Sequence, residues 1–182
     1  NKTSATFTNN ASIFGKVYFP RMIVPLSIII SNLIKFGIQF LLLLGFISFY
    51  YLKGANVNMN AWMLLTPLLL IMMAGMGLGF GIIISSLTTK YRDLQHLVGF
   101  GTQLLMYLTP IVYPLSFLEG KMRTIALLNP MTAIVETFKY AYLGGGEISL
   151  INLGYSFFIM ILLLLTGLLL FHKVEKTFMD TV

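Results

Sequence analysis

Four long apolar blocks separated by short polar stretches constrain this chain more than anything else: Met22 to Leu52, Ala61 to Leu87, His96 to Leu118 and Ile148 to Phe171. Each is long enough for the ~20 apolar residues that carry a helix across a bilayer. A soluble domain has no place for such blocks, since its helices keep a polar face and about a quarter of its residues are charged. Here 10% are charged and 57% hydrophobic, too little polar surface to cover a water-facing globule. Disorder, a nucleic-acid-binding arm and a disulfide scaffold are excluded by the same numbers, and zero Cys also removes thiolate metal sites. The net charge of +6 is read as membrane-flanking Lys and Arg, because the basic residues are scattered between apolar blocks. The chain is expected to be an all-α integral membrane protein.

The first ten residues are polar and lack a basic stretch followed by an apolar one, which argues against a signal peptide. A processed or truncated start is expected, so the chain is read as a fragment. Residues 10–19 predict a short amphipathic helix, stopped by Pro20 and too short to span, lying at the membrane surface with Lys16 and Arg21 toward water and headgroups.

In the first block, 22–52, Ser27, Ser31, Lys35 and Gln39 recur every four positions, and Asn32 lies seven before Gln39. Those spacings hold one helical face, which is expected against protein or water. Lys35 has two readings, snorkelling toward headgroups or lining a pathway. The second block, 61–87, carries Gly75, Gly77, Gly79 and Gly81. These form two small-xxx-small pairs, and close helix packing is the expected use. After a polar turn with Lys90, Arg92 and Asp93, the third block, 96–118, contains Pro110 and Pro114, where a kink or break is expected.

Residues 119–147 are too polar to span and too apolar for a free loop. Asn129-Pro130 reads as a helix start and Gly144-Gly145-Gly146 as a stop. Between them Met131, Ile134, Val135, Phe138 and Tyr142 make an apolar stripe, with Glu136 and Lys139 off it. Two short helices that dip into the membrane edge and return are predicted, a re-entrant element. The last block, 148–171, is uncharged and ends in His172, Lys173 and Lys176. Four spans put both ends on one side. Lys2, Lys16, Arg21, Lys90, Arg92, Lys173 and Lys176 lie there, against Lys53, Lys121, Arg123 and Lys139 opposite, which favours cytoplasmic ends.

Three stretches together resemble the permease subunits of ABC-2 type exporters, nearest to the branch that moves polysaccharides and polyol phosphates such as O-antigen, capsule and teichoic acid chains. They are Asn10 through Arg21, with its Lys-Val-Tyr-Phe-Pro-Arg core; Lys90-Tyr-Arg-Asp-Leu with a helix ending Thr109-Pro-Ile-Val-Tyr-Pro; and Leu128-Asn-Pro-Met-Thr leading to Phe138-Lys139. The tail from Phe171 also resembles that family's ending. Such permeases have two further spans before the first stretch, which agrees with a fragment.

The resemblance implies one transmembrane permease domain over 1–182, with a surface coupling helix, four spans and an extracytoplasmic re-entrant hairpin, in the plasma (inner) membrane with cytoplasmic ends. It implies pairing with a second permease copy and with ABC ATPase subunits that bind ATP and Mg, no cofactor being held by this chain. The chain has no G-x-x-x-x-G-K-[ST] loop, which agrees. By resemblance, Lys16, Phe19, Pro20 and Arg21 fall in the helix that docks on the ATPase, and Tyr91, Arg92 and Asp93 in the second cytoplasmic loop. Membrane-surface anchoring would use the basic members in any case.

The leading functional reading is export of a lipid-linked polysaccharide or polyol phosphate through a channel between two permeases. Tyr107, Tyr113 and Gln39 are conduit candidates, with Lys35 for an anionic group, although aromatics in such helices also pack or anchor. Export of drugs or other small molecules by the same architecture is the alternative. A membrane-embedded enzyme using Asp93 and His96 as an acid–base pair is a third, set against the lack of paired carboxylates within a span or of a metal-ligand cluster.

Overall fold

The computed structural model describes residues 22–54, 60–91 and 94–179. The coupling helix expected at 10–19 lies outside them. Among the described residues the chain is helical, without strands. The elements are α1 (Ile23–Leu52), a 3-10 turn (Ala61–Leu65), α2 (Thr66–Lys90), α3 (Leu94–Leu108), a second 3-10 turn (Leu115–Phe117), α4 (Gly120–Leu128), α5 (Pro130–Leu143) and α6 (Leu150–Met179).

Proline placement sets these boundaries. Pro25, Pro67 and Pro130 sit in the first turns of α1, α2 and α5, where a missing N–H costs nothing because it would have no intrahelical acceptor. Pro110 and Pro114 sit where the helix would have to continue, and α3 stops at Leu108. The helix expected over 96–118 is therefore 15 residues long, about 22 Å at 1.5 Å per residue, and a non-helical segment follows it. Among the described residues, three helices are long and apolar enough to cross a membrane: Ile23–Leu52, Ala61–Thr88 and Leu150–Val174. None of the most apolar stretch of α1 is buried within the chain, and Ile30, Ile34, Ile38, Leu41 and Phe46 are all exposed on it. That surface requires hydrocarbon or another protein around it.

The described chain divides into two units. Of the described residues, the first takes in 22–31, 74–91, 94–105 and 158–179. Here α2 and α6 cross with almost no side chain between them. A Cβ built on Gly79 would lie 2.7 Å from the backbone carbon of Leu163, and one on Gly167 would lie 3.0 Å from the Gly79 carbonyl oxygen. Gly75 is filled from across by Met160. The close packing expected of Gly75 and Gly79 is thus present. Gly77 meets only the tip of Ile29, at 4.0 Å. Further along, Ile82 and Phe171 form a buried core under Met22, Leu78 and Val174.

The second unit takes in Asn32–Met73 and Met106–Phe157. Its apolar core joins Ile47, Ala141 and Tyr142, with Phe40, Leu43, Trp62 and Phe138 against it. Phe138 and Tyr142, four apart on α5, face Phe40 of α1 with ring centroids 6.1 and 5.5 Å away. The Tyr142 hydroxyl is buried and meets the Thr66 hydroxyl at 2.6 Å. The short helices α4 and α5 are separated only by Asn129, which ends one and begins the other. The Asn129 side chain accepts the Met131 N–H, and Gly144 closes α5 in the left-handed conformation at φ 69°, so the expected start and stop are both met.

Candidate functional site

The break after α3 leaves backbone carbonyls without helical donors, and in a membrane each needs a partner inside the protein. The Tyr113 hydroxyl turns back to the Tyr107 and Leu108 carbonyls, at 3.0 and 3.2 Å, and so caps the broken helix. The Ile111 N–H donates to Thr109. The remaining Pro110 and Tyr113 carbonyls accept from the Lys139 ammonium, the second at 3.2 Å. That ammonium also donates to Glu136 Oε1 at 3.3 Å, while Glu136 Oε2 accepts the Glu147 N–H at 3.3 Å. Glu147 in turn pairs with Arg123 at 2.5 Å.

Glu136 is 2% exposed. The sequence places it off the apolar stripe of α5; the structure buries it with Thr132 and Thr137. The burial is physically permitted because the carboxylate has an ammonium on one oxygen and a backbone N–H on the other. Gly146 makes the second bond reachable. Its φ is +114°, and a Cβ there would sit 2.8 Å from the Glu136 carbonyl oxygen.

A second polar knot ties the other end of the hairpin. Asn129 Nδ2 donates to the buried Thr109 hydroxyl at 2.7 Å. The Thr132 hydroxyl reaches the Ala126 carbonyl, Tyr155 the Leu128 carbonyl and Ser156 the Pro130 carbonyl. The last carbonyls of α4 thereby gain donors.

A cavity of about 310 Å³ opens beside the first knot, lined by Pro114, Ser116, Glu136, Lys139, Leu143 and Gly146 among others. Lys139 already spends its three hydrogens on oxygens of the chain, so an occupant draws on it only by breaking the knot. Among the described residues no group of three or more His, Asp or Glu could hold a metal ion.

The residues singled out from sequence are scattered over this framework. Lys35 and Gln39 are exposed on α1, as are Ser27, Ser31 and Asn32 of the same polar stripe. Tyr107 is exposed at the end of α3, and Tyr113 is half-buried with its hydroxyl engaged as a cap. Tyr91 is exposed between α2 and α3. Lys16, Phe19, Pro20, Arg21, Arg92 and Asp93 lie outside the described residues. Sequence reasoning missed the Glu136–Lys139 pair. Its signals were the three-residue spacing on one helix and two prolines that would leave carbonyls in need of a donor.

Apolar helices, a proline-broken helix and a capped hairpin do not by themselves name a family; comparison with known proteins does. The model of the ABC-2 type transporter family matches residues 1–143. The chain belongs to that family. Among curated relatives of this ABC-2 chain, the O-antigen export system permease protein RfbA of Klebsiella pneumoniae is 29% identical over 176 residues, 96% of this chain and 66% of that protein. The protein of the same name from Myxococcus xanthus is 27% identical over 139 residues, 75% of this chain and 51% of its own length. The ABC-2 chain therefore spans just under two thirds of the Klebsiella relative, and with its three apolar helices among the described residues it is an integral membrane protein.

Proposed function

We propose that the full protein is the permease subunit of an ATP-driven exporter of a lipid-linked polysaccharide or polyol phosphate, working as a pair of permeases around one conduit. The observation that carries this is similarity over 96% of the chain to a permease named for O-antigen export. Nothing observed favours the small-molecule alternative. The phosphate-loop motif is missing from this sequence, so hydrolysis of ATP with Mg is assigned to a separate ABC ATPase.

In the proposed layout α1, α2 and α6 span, and α3 with the segment after it makes the remaining pass. The hairpin α4–α5 re-enters from the extracytoplasmic face, and both ends of the chain lie in the cytoplasm of a plasma-membrane protein. At 14 residues α5 measures about 21 Å, too short to cross. Lys16, Phe19, Pro20 and Arg21, with Tyr91, Arg92 and Asp93, dock the ATPase. Lys35, Gln39 and Tyr107 line the conduit, and Tyr113 contributes its ring rather than its hydroxyl, which caps α3. Lys35 on a lipid-length helix is costly unless water, protein or substrate compensates it.

The test is surface glycan in a strain lacking its own exporter, supplied with the full-length protein and its ATPase. Restored surface glycan that depends on an intact phosphate loop in the ATPase is expected. Glycan retained inside the cell, or hydrolysis of ATP by the purified permease alone, refutes the reading.

A further inference from the structure

A helix broken by proline at membrane depth loses donors that no solvent replaces. In this chain the Tyr113 hydroxyl makes good part of the loss, and one side chain from another helix supplies donors to two further carbonyls. Lys139 of α5 places its ammonium against the carbonyl oxygens of Pro110 and Tyr113, residues 29 and 26 positions earlier. Its third hydrogen goes to Glu136, so all three are used on protein oxygens. Glu136 is fixed from its other side by the Glu147 N–H, and Glu147 by Arg123 of α4. The result is one continuous relay from α4 through the residues before α6 to α5 and the broken end of α3. Every contact in it lies within the second unit.

We propose that Lys139, oriented by the buried Glu136, is a positioning residue for export: it clasps the 109–114 segment to α5, so that the hairpin and the broken end of α3 move as one body when the conduit opens. The charge matters as well as the donors. An apolar side chain leaves two carbonyls unpaired and strands the Glu136 carboxylate in a site where it is 2% exposed. An arginine keeps both charge and donors. The role in export rests on the function proposed above; the clasp itself does not.

The experiment uses the full-length permease, freed of any Cys outside this Cys-less chain, with Leu115→Cys as reporter. Leu115 is 2% exposed and follows the clasped segment directly, so its thiol reacts only when that segment opens. A thiol reagent that cannot cross membranes is expected to label it slowly. Lys139→Met and Glu136→Gln should each raise the rate about tenfold, the scale of one buried polar partner lost. Lys139→Arg should return the rate to within about twofold of the parent. Should Lys139→Met fail to insert, Lys139→Gln, with two donors and no charge, should give an intermediate rate. In complex with the ATPase, Lys139→Met should cut surface glycan about tenfold while ATP hydrolysis changes less than twofold, and Lys139→Arg should restore export. Labelling of Lys139→Met at the parental rate, or a Lys139→Arg variant no better than Lys139→Met, overturns the clasp. Normal export by Lys139→Met alongside fast labelling overturns its part in transport. If the parent exports no glycan at all, the function is wrong, and the labelling rates still decide the clasp.

Discussion

The two units hold their helices together by opposite means. Where α2 meets α6, contact is made by removing side chains: Gly79 and Gly167 bring backbone against backbone. Where α5 meets the end of α3, contact is made by adding polar groups, with Lys139, Glu136, Asn129 and Tyr113 each answering a backbone or side-chain partner. The difference follows from the backbone. Gly79 and Gly167 lie inside unbroken helices, whose peptide groups pair along the helix itself, so close-range dispersion can drive the association. Around Pro110 and Pro114 the ladder is interrupted, and the neighbours must supply donors before anything can pack.

The contrast can be broken at either end. The largest effect is expected for Gly79→Leu, because the atoms in the way are backbone atoms of Leu163 and Leu164 that cannot swing aside. Overpacking there should cost about 3 kcal/mol or more. A thermal melt of the purified full-length protein should show a large drop or no folded protein. An unchanged melt would mean the two helices do not cross as described. Asn129→Ala should be intermediate, costing about 1–2 kcal/mol, since it removes the cap of α5 and the donor to Thr109 together. Its melting shift should shrink markedly when Thr109→Val is already present, and strict additivity of the two would deny their contact. The smallest is Gly77→Ala, which meets only Ile29 at 4.0 Å and gains helix propensity. Its change should stay within about 0.5 kcal/mol. A Gly77→Ala loss equal to that of Gly79→Leu would show that glycine content, not the crossing, is what the melt reports.

The glycine crossing was legible in the sequence because its cause is local spacing: Gly75 and Gly79 are one turn apart on an apolar helix. The ends of α5 were legible for the same reason, since Asn129, Pro130 and Gly144 act on their own turns. The prolines announced a break but not its remedy. That Tyr113 caps its own helix, or that Lys139 turns inward with Glu136, depends on oxygens brought from far along the chain, and no periodicity in 130–143 encodes them. By charge alone Glu136 belongs on a wet face. Only the ammonium beside it and the Glu147 N–H, reached past Gly146, make burial possible.

The claim on which the proposed export layout depends is that the hairpin faces the outside of the cell. With no native Cys in this chain, single substitutions in the full-length protein report it directly. In intact cells, a thiol reagent that cannot cross the membrane should label Gly120→Cys and Gly145→Cys readily. It should label the buried Ile134→Cys slowly and Lys90→Cys not at all. Labelling of Lys90→Cys with protection of Gly120→Cys contradicts the layout.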